Sequence, residues 1–128
     1  MICNRNELQT CSERLDYITE AIEGKVFGQE VYPELYDKAA VYMFSVISNH
    51  IFQDGNKRTG LQAALLFLKM NGYRLKNTLV KIEAENQLLP TKGENANEIL
   101  FQFTMELASG QINLDQCREW FKVNVEAI

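Results

Sequence analysis

The chain has 128 residues, of which 46% are hydrophobic and 23% charged, and its formal net charge is −4. That length fits one domain over residues 1–128, large enough to bury about two-thirds of the surface its unfolded chain exposes, so no disulfide or metal staple is required. The balance is unlike that of a disordered chain, and the negative charge gives no general reason to expect nucleic-acid binding; any attraction for phosphate must be local.

Apolar residues recur at helical spacing almost throughout. Leu8, Cys11, Leu15, Ile18 and Ile22 keep a 3-4-3-4 rhythm that predicts a first helix, with Gly24 as its stop. Pro33 suits the entry to a second helix, whose stripe runs through Leu35, Tyr36, Ala39, Ala40, Met43, Phe44 and Ile47 and should end near Asn49 or His50. A third helix is expected from Asn56, carrying Leu61, Ala64, Leu65 and Leu68 and stopped by Asn71-Gly72; its Ala/Leu richness reads as the central, most buried helix. Tyr73 to Lys76 reads as extended, Thr78 to Leu88 as weakly helical, and Pro90 to Asn95 as a polar loop. A helix over Glu98 to Ala108 ends at Gly110, and the spacing Asn113-x-x-Gln116 predicts a capping box opening a last helix with Leu114, Cys117, Trp120 and Phe121. Apolar faces of this kind need one another, so the fold class is an all-α helical bundle.

The three cysteines, Cys3, Cys11 and Cys117, are odd in number and lack CxxC spacing, against both a secreted disulfide framework and a thiolate metal site. No signal-peptide pattern opens the chain, and its longest strongly apolar run, Ala63 to Leu68, is too short to cross a bilayer. The expectation is a reduced, cytoplasmic protein without membrane or nucleic-acid partners.

Chemistry concentrates between His50 and Gly60. The second helix should end at His50, the only histidine, and a short connection with Asp54 and Gly55 leads into a helix starting at Asn56. A helix start offers unpaired N–H groups and the positive end of a dipole, both favourable to an anion. Gly55 permits close backbone approach, Asn56 can donate its amide, and Lys57 and Arg58 supply a compact charge and a forked donor for phosphate oxygens. Asp54 is a hard oxygen ligand of the type Mg²⁺ takes. His50 has the ordinary pKa nearest neutrality and suits a general base, and Phe52 reads as an apolar anchor of the loop. Each residue has a plainer reading: a histidine at a helix end is often a cap, Asp-Gly-Asn is a common turn, and Asp54 can simply neutralise its basic neighbours.

In order and spacing, His50-Ile51-Phe52-Gln53-Asp54-Gly55-Asn56-Lys57-Arg58 resembles the signature of the Fic/Doc superfamily, H-x-F-x-[D/E]-[G/A]-N-[G/K]-R. Lys57, in place of the second Fic glycine, is typical of the Doc (death on curing) branch. The resemblance extends through Tyr32-Pro33, Lys38-Ala39-Ala40, Ala63 to Leu68, Asn71-Gly72-Tyr73, Ala108-Ser109-Gly110 and the Trp120 helix. It implies a compact bundle with the active-site loop between two central helices. His50 would match the catalytic base, Asp54 the acidic residue handling Mg²⁺ and substrate, Asn56 the phosphate-binding amide and Arg58 the phosphate clamp. Lys57 stands where Fic proteins keep glycine for α-phosphate access; in Doc-like proteins it accompanies transfer of the γ-phosphate of ATP to a protein Thr, on translation elongation factor Tu, and a small antitoxin holds such toxins inactive.

Two alternatives stay open: Fic-type transfer of AMP to a protein Tyr, Thr or Ser, and a non-catalytic nucleotide- or protein-binding role. Gly55 is the Fic-like choice where Doc members carry Ala, and the chain begins later than is usual for Doc proteins. Thr19-x-x-x-Glu23-Gly24 fits the short string by which some Fic proteins inhibit themselves, or a plain amphipathic helix. Tyr17, Tyr32 and Tyr36 read either as half-buried helix residues or as the lining of a target groove.

Overall fold

The computed structural model describes residues 8–49, 55–82, 88–90 and 96–128. Five helices lie among them: α1 (Leu8–Glu23), α2 (Leu35–Ser48), α3 (Asn56–Met70), α4 (Ala96–Ala108) and α5 (Leu114–Asn124). Three two-stranded antiparallel pairs complete the frame: β1 (Lys25–Val26) with β2 (Gln29–Glu30), β3 (Tyr73–Leu75) with β6 (Val125–Ala127), and β4 (Val80–Ile82) with β5 (Leu88–Pro90). The helical class holds. No described helix is long and apolar enough to cross a membrane.

α2 is the hub. It packs on α1, α3, α4 and α5, and its buried residues occupy every side of the helix: Asp37, Lys38, Ala39, Ala40, Val41, Met43, Val46 and Ile47. Ala39 and Ala40 are fully buried, and their small side chains let neighbouring helices approach closely. α3, expected to be the most buried helix, buries only Gly60, Ala64 and Leu68 and exposes Leu66 and Met70. Ala and Leu there report helix propensity as much as burial.

The main core gathers around Trp120 and Phe121 of α5. Phe103 of α4 stacks on Trp120 at 4.1 Å between centroids, and Phe121 meets both rings edge-on. Cys117 is buried in the same cluster and donates its thiol to the Ala40 carbonyl; burial pushes the thiol far above its ordinary pKa. A second cluster, Ile18 and Ile22 with Val41 and Val46, seats α1 on α2. The expected capping box forms at α5: the Asn113 side chain accepts from Gln116 N–H while the Gln116 side chain accepts from Asn113 N–H.

The stretch expected to be weakly helical instead contributes β4 and the first residue of β5, and Pro90, expected to open the polar loop, ends β5; Val80, Lys81 and Ile82 lie opposite Pro90, Leu89 and Leu88. Residues 83–87 of that stretch and 91–95 of the expected polar loop lie outside the described set. Asn124 explains part of the difference. Fully buried, it accepts from Val80 N–H at 2.8 Å and donates to Val80 O at 3.2 Å and to Trp120 O at 2.9 Å. One side chain thus completes the backbone pairing of a strand distant in sequence, which local periodicity does not register. Replacing Asn124 by Ala strands both Val80 groups and should cost about 2–4 kcal/mol. Urea unfolding checks this; a loss under about 0.5 kcal/mol at unchanged m-value would contradict it.

Candidate active site

α2 and α3 flank the loop that the sequence singles out. Asn49 caps α2, its N–H donating to Ser45 O at 3.1 Å, and α3 starts at Asn56 with Gly55 as its N-cap. Gly55 has φ +79° and ψ +17°, left-handed backbone that a Cβ would strain, and its carbonyl accepts the Thr59 N–H at 2.9 Å. Gly55, lacking a side chain, supplies no side-chain cap of its own. His50, Phe52 and Asp54, expected as base, anchor and metal ligand, lie outside the described residues.

Of the expected phosphate-binding residues, Gly55 and Asn56 are half-buried, and Lys57 and Arg58 are exposed in the first turn of α3. That turn contains no acidic residue, and neither cation forms an ion pair with a described residue. Each cation at the positive end of a helix dipole costs about 0.3–1 kcal/mol. A bound anion, attracted by both the cations and the dipole, offsets that cost. The donors of this turn suit phosphate oxygens and not a metal ion.

Glu23 is engaged within the fold. Its carboxylate accepts from Lys38 Nζ at 3.1 Å and from the Tyr42 hydroxyl at 3.2 Å. Lys38, only 4% exposed, also meets Glu30 of β2 at 3.6 Å and donates to Ile22 O in the last turn of α1. One buried ammonium therefore ties α1, the hairpin and α2 together, and its charge complements the negative end of the α1 dipole. Burial, and then the Glu23 carboxylate, push the Tyr42 hydroxyl above its ordinary pKa. The sequence signal for this staple was a lysine inside an otherwise apolar stripe.

An apolar groove of about 360 Å³ lies between α1, the chain after the hairpin and α2; Tyr17, Ile18, Tyr32 and Phe44 line it, with Ser48 and Asn49 from the C-terminal end of α2. Tyr17 is 73% exposed, against the half-buried expectation, whereas Tyr32 and Tyr36 are half-buried. Tyr32 precedes α2 and stacks beneath the Arg118 guanidinium, which is held by Asp37 through two hydrogen bonds of 3.0 and 3.3 Å. Tyr36 faces a separate polar cleft beside Asp37 and Arg118. The hairpin itself was not anticipated: Phe27 (φ +51°) and Gly28 (φ +80°) make a two-residue turn that leaves Phe27 fully exposed.

Comparison with known proteins agrees with these landmarks. The model of the Fic/DOC family matches residues 4–68, a stretch that takes in α1, the hairpin, α2, the loop and most of α3. Toxin Doc of Mycolicibacterium smegmatis (strain ATCC 700084 / mc(2)155) is 44% identical over 61 residues, covering 48% of this chain and 47% of that protein. Protein kinase doc of Escherichia phage P1 is 44% identical over 59 residues, covering 44% of this chain and 47% of that protein. The chain thus matches about half the length of each of these relatives.

The Lys38 staple predicts that Glu23→Gln lowers stability by about 1–2 kcal/mol, the partners being partly solvated, and leaves activity no higher than wild type. Thermal unfolding together with an activity measurement tests it. Raised activity at unchanged stability would return Glu23 to an inhibitory role.

Proposed function

This chain belongs to the Fic/DOC family, and we propose on that premise that it is a Doc-like toxin transferring the γ-phosphate of ATP to a Thr hydroxyl of a protein, with translation elongation factor Tu as the acceptor. The observation that carries the reading is the cationic start of α3, where Lys57 and Arg58 stand exposed beside the Gly55 turn with no acidic residue in the first helical turn. A lysine in a cradle sized for glycine fills space and adds charge. The α-phosphate is thereby kept from the position a glycine nest would give it, and the γ-phosphate faces the acceptor.

In this reading His50 takes the proton from the Thr hydroxyl as its oxygen bonds to the γ-phosphorus. The bond from that phosphorus to the β–γ bridging oxygen breaks, and ADP leaves with the electron pair. Arg58 and Asn56 hold phosphate oxygens, and Lys57 offsets their charge during transfer. Asp54 would hold the Mg²⁺ that accompanies ATP, an ion whose charge moderates that of the phosphates. Phe52 would anchor the loop. The apolar groove, lined in part by Ser48 and Asn49, would offer a protein acceptor its surface. A small antitoxin protein as regulator and a cytoplasmic place of action belong to the same proposal.

Gly55, the Fic-like choice, favours a second reading in which AMP is transferred to a protein hydroxyl. Elongation factor Tu incubated with this protein and ATP labelled at the α- or the γ-phosphate separates the two. The γ label is expected on a Thr, with His50→Ala lowering the rate about 10²–10⁴-fold. Retention of the α label would replace phosphate transfer by adenylyl transfer.

A further inference from the structure

Gly60 is buried in the second turn of α3, against the last turn of α2. A Cβ built there would lie 2.7 Å from Ile47 Cγ1, 3.1 Å from the Met43 carbonyl oxygen and 3.2 Å from Ile47 Cδ1, where ordinary contact is 3.4–4 Å. Neither neighbour has room to yield: Ile47 is 1% exposed and Met43 is fully buried, both inside the main core. Glycine inside a helix costs about 1 kcal/mol relative to alanine, so local helix stability does not account for it here. Close approach of the two helices does.

We propose that Gly60 is a positioning residue for the transfer loop, its missing side chain setting the separation of α2 and α3 where these helices enter and leave residues 50–54. Ile47 lies just before His50, and Gly60 just after Arg58. A methyl group between them pushes apart the two helix ends from which the base and the phosphate-binding turn are suspended. Displacement of reacting groups by about 1 Å can cost on the order of 10²-fold in rate. The partner of Gly60 in this arrangement is the bulk of Ile47, so the two positions form one volume-matched pair. The consequence for rate rests on the transfer reading above, whereas the spacing does not.

The test compares wild type, Gly60→Ala, Ile47→Ala and the double variant in two ways: backbone amide resonances of Asn49 and Gly55 to Arg58 without any substrate, and transfer of the γ label to elongation factor Tu. Gly60→Ala is expected to shift those resonances and lower kcat about 10–100-fold, with KM for ATP changed much less. Adding Ile47→Ala removes Cγ1 and Cδ1 and should return the resonances toward wild type and recover most of the rate, although the cavity lowers stability. A Gly60→Ala protein with wild-type resonances overturns the proposal, as does a double variant no closer to wild type than the single one. Should Gly60→Ala fail to fold, a folded double variant supports the volume match and an unfolded one overturns it. If wild type transfers no label, the transfer reading fails alone, and the resonances still decide the role of Gly60.

Discussion

The contact between α2 and α3 is the constraint on which the site depends, because these helices supply both ends of the loop from His50 to Asp54. Ile47 packs against the bare backbone of Gly60, and Ala64 and Leu68 continue the same buried stripe along α3. α2 can serve as a fixed reference because it is enclosed by α1, α4 and α5 as well. The aromatic cluster of Phe103, Trp120 and Phe121 is thus linked to the chemistry at one remove: it holds the helix from which the loop departs.

Charge is handled in two opposite ways along the same pair of helices. Asp37 and Lys38, buried in α2, are each engaged: Asp37 by the Arg118 fork, Lys38 by Glu23, Glu30 and the Ile22 carbonyl. Leaving either charge without partners in the interior would be strongly unfavourable. Lys57 and Arg58 at the start of α3 stand exposed at the end of a dipole that disfavours them. The Asp37 and Lys38 charges are satisfied within the fold, while Lys57 and Arg58 have no ion pair among the described residues. That contrast supports an anionic ligand more firmly than the count of basic residues does.

The helices were legible in the sequence because their signals are local. Apolar spacing and stop residues located α1, α2 and α3, and the Asn113–Gln116 pair located the start of α5. The extended stretch after Gly72 was legible and forms β3, but what distant partners set escaped: the pairing of β3 with β6 near the C-terminus, and β4, held by the Asn124 side chain. Strands of two or three residues are too short to show alternation. Among candidate site residues, the order His50 to Arg58 was readable as a string, and the family match spans it. Gly60 looked like an unremarkable helix residue, since its importance lies in an Ile47 side chain that only packing reveals.

If Lys57 directs which phosphate meets the acceptor, changing that one side chain must change the product. The most direct measurement is the intact mass of elongation factor Tu after incubation with ATP, Mg²⁺ and either wild type or Lys57→Gly. The account predicts a gain of one phosphate with wild type and loss of that product with Lys57→Gly. An adenylate gained with wild type, or an undiminished phosphate gain with Lys57→Gly, would contradict it.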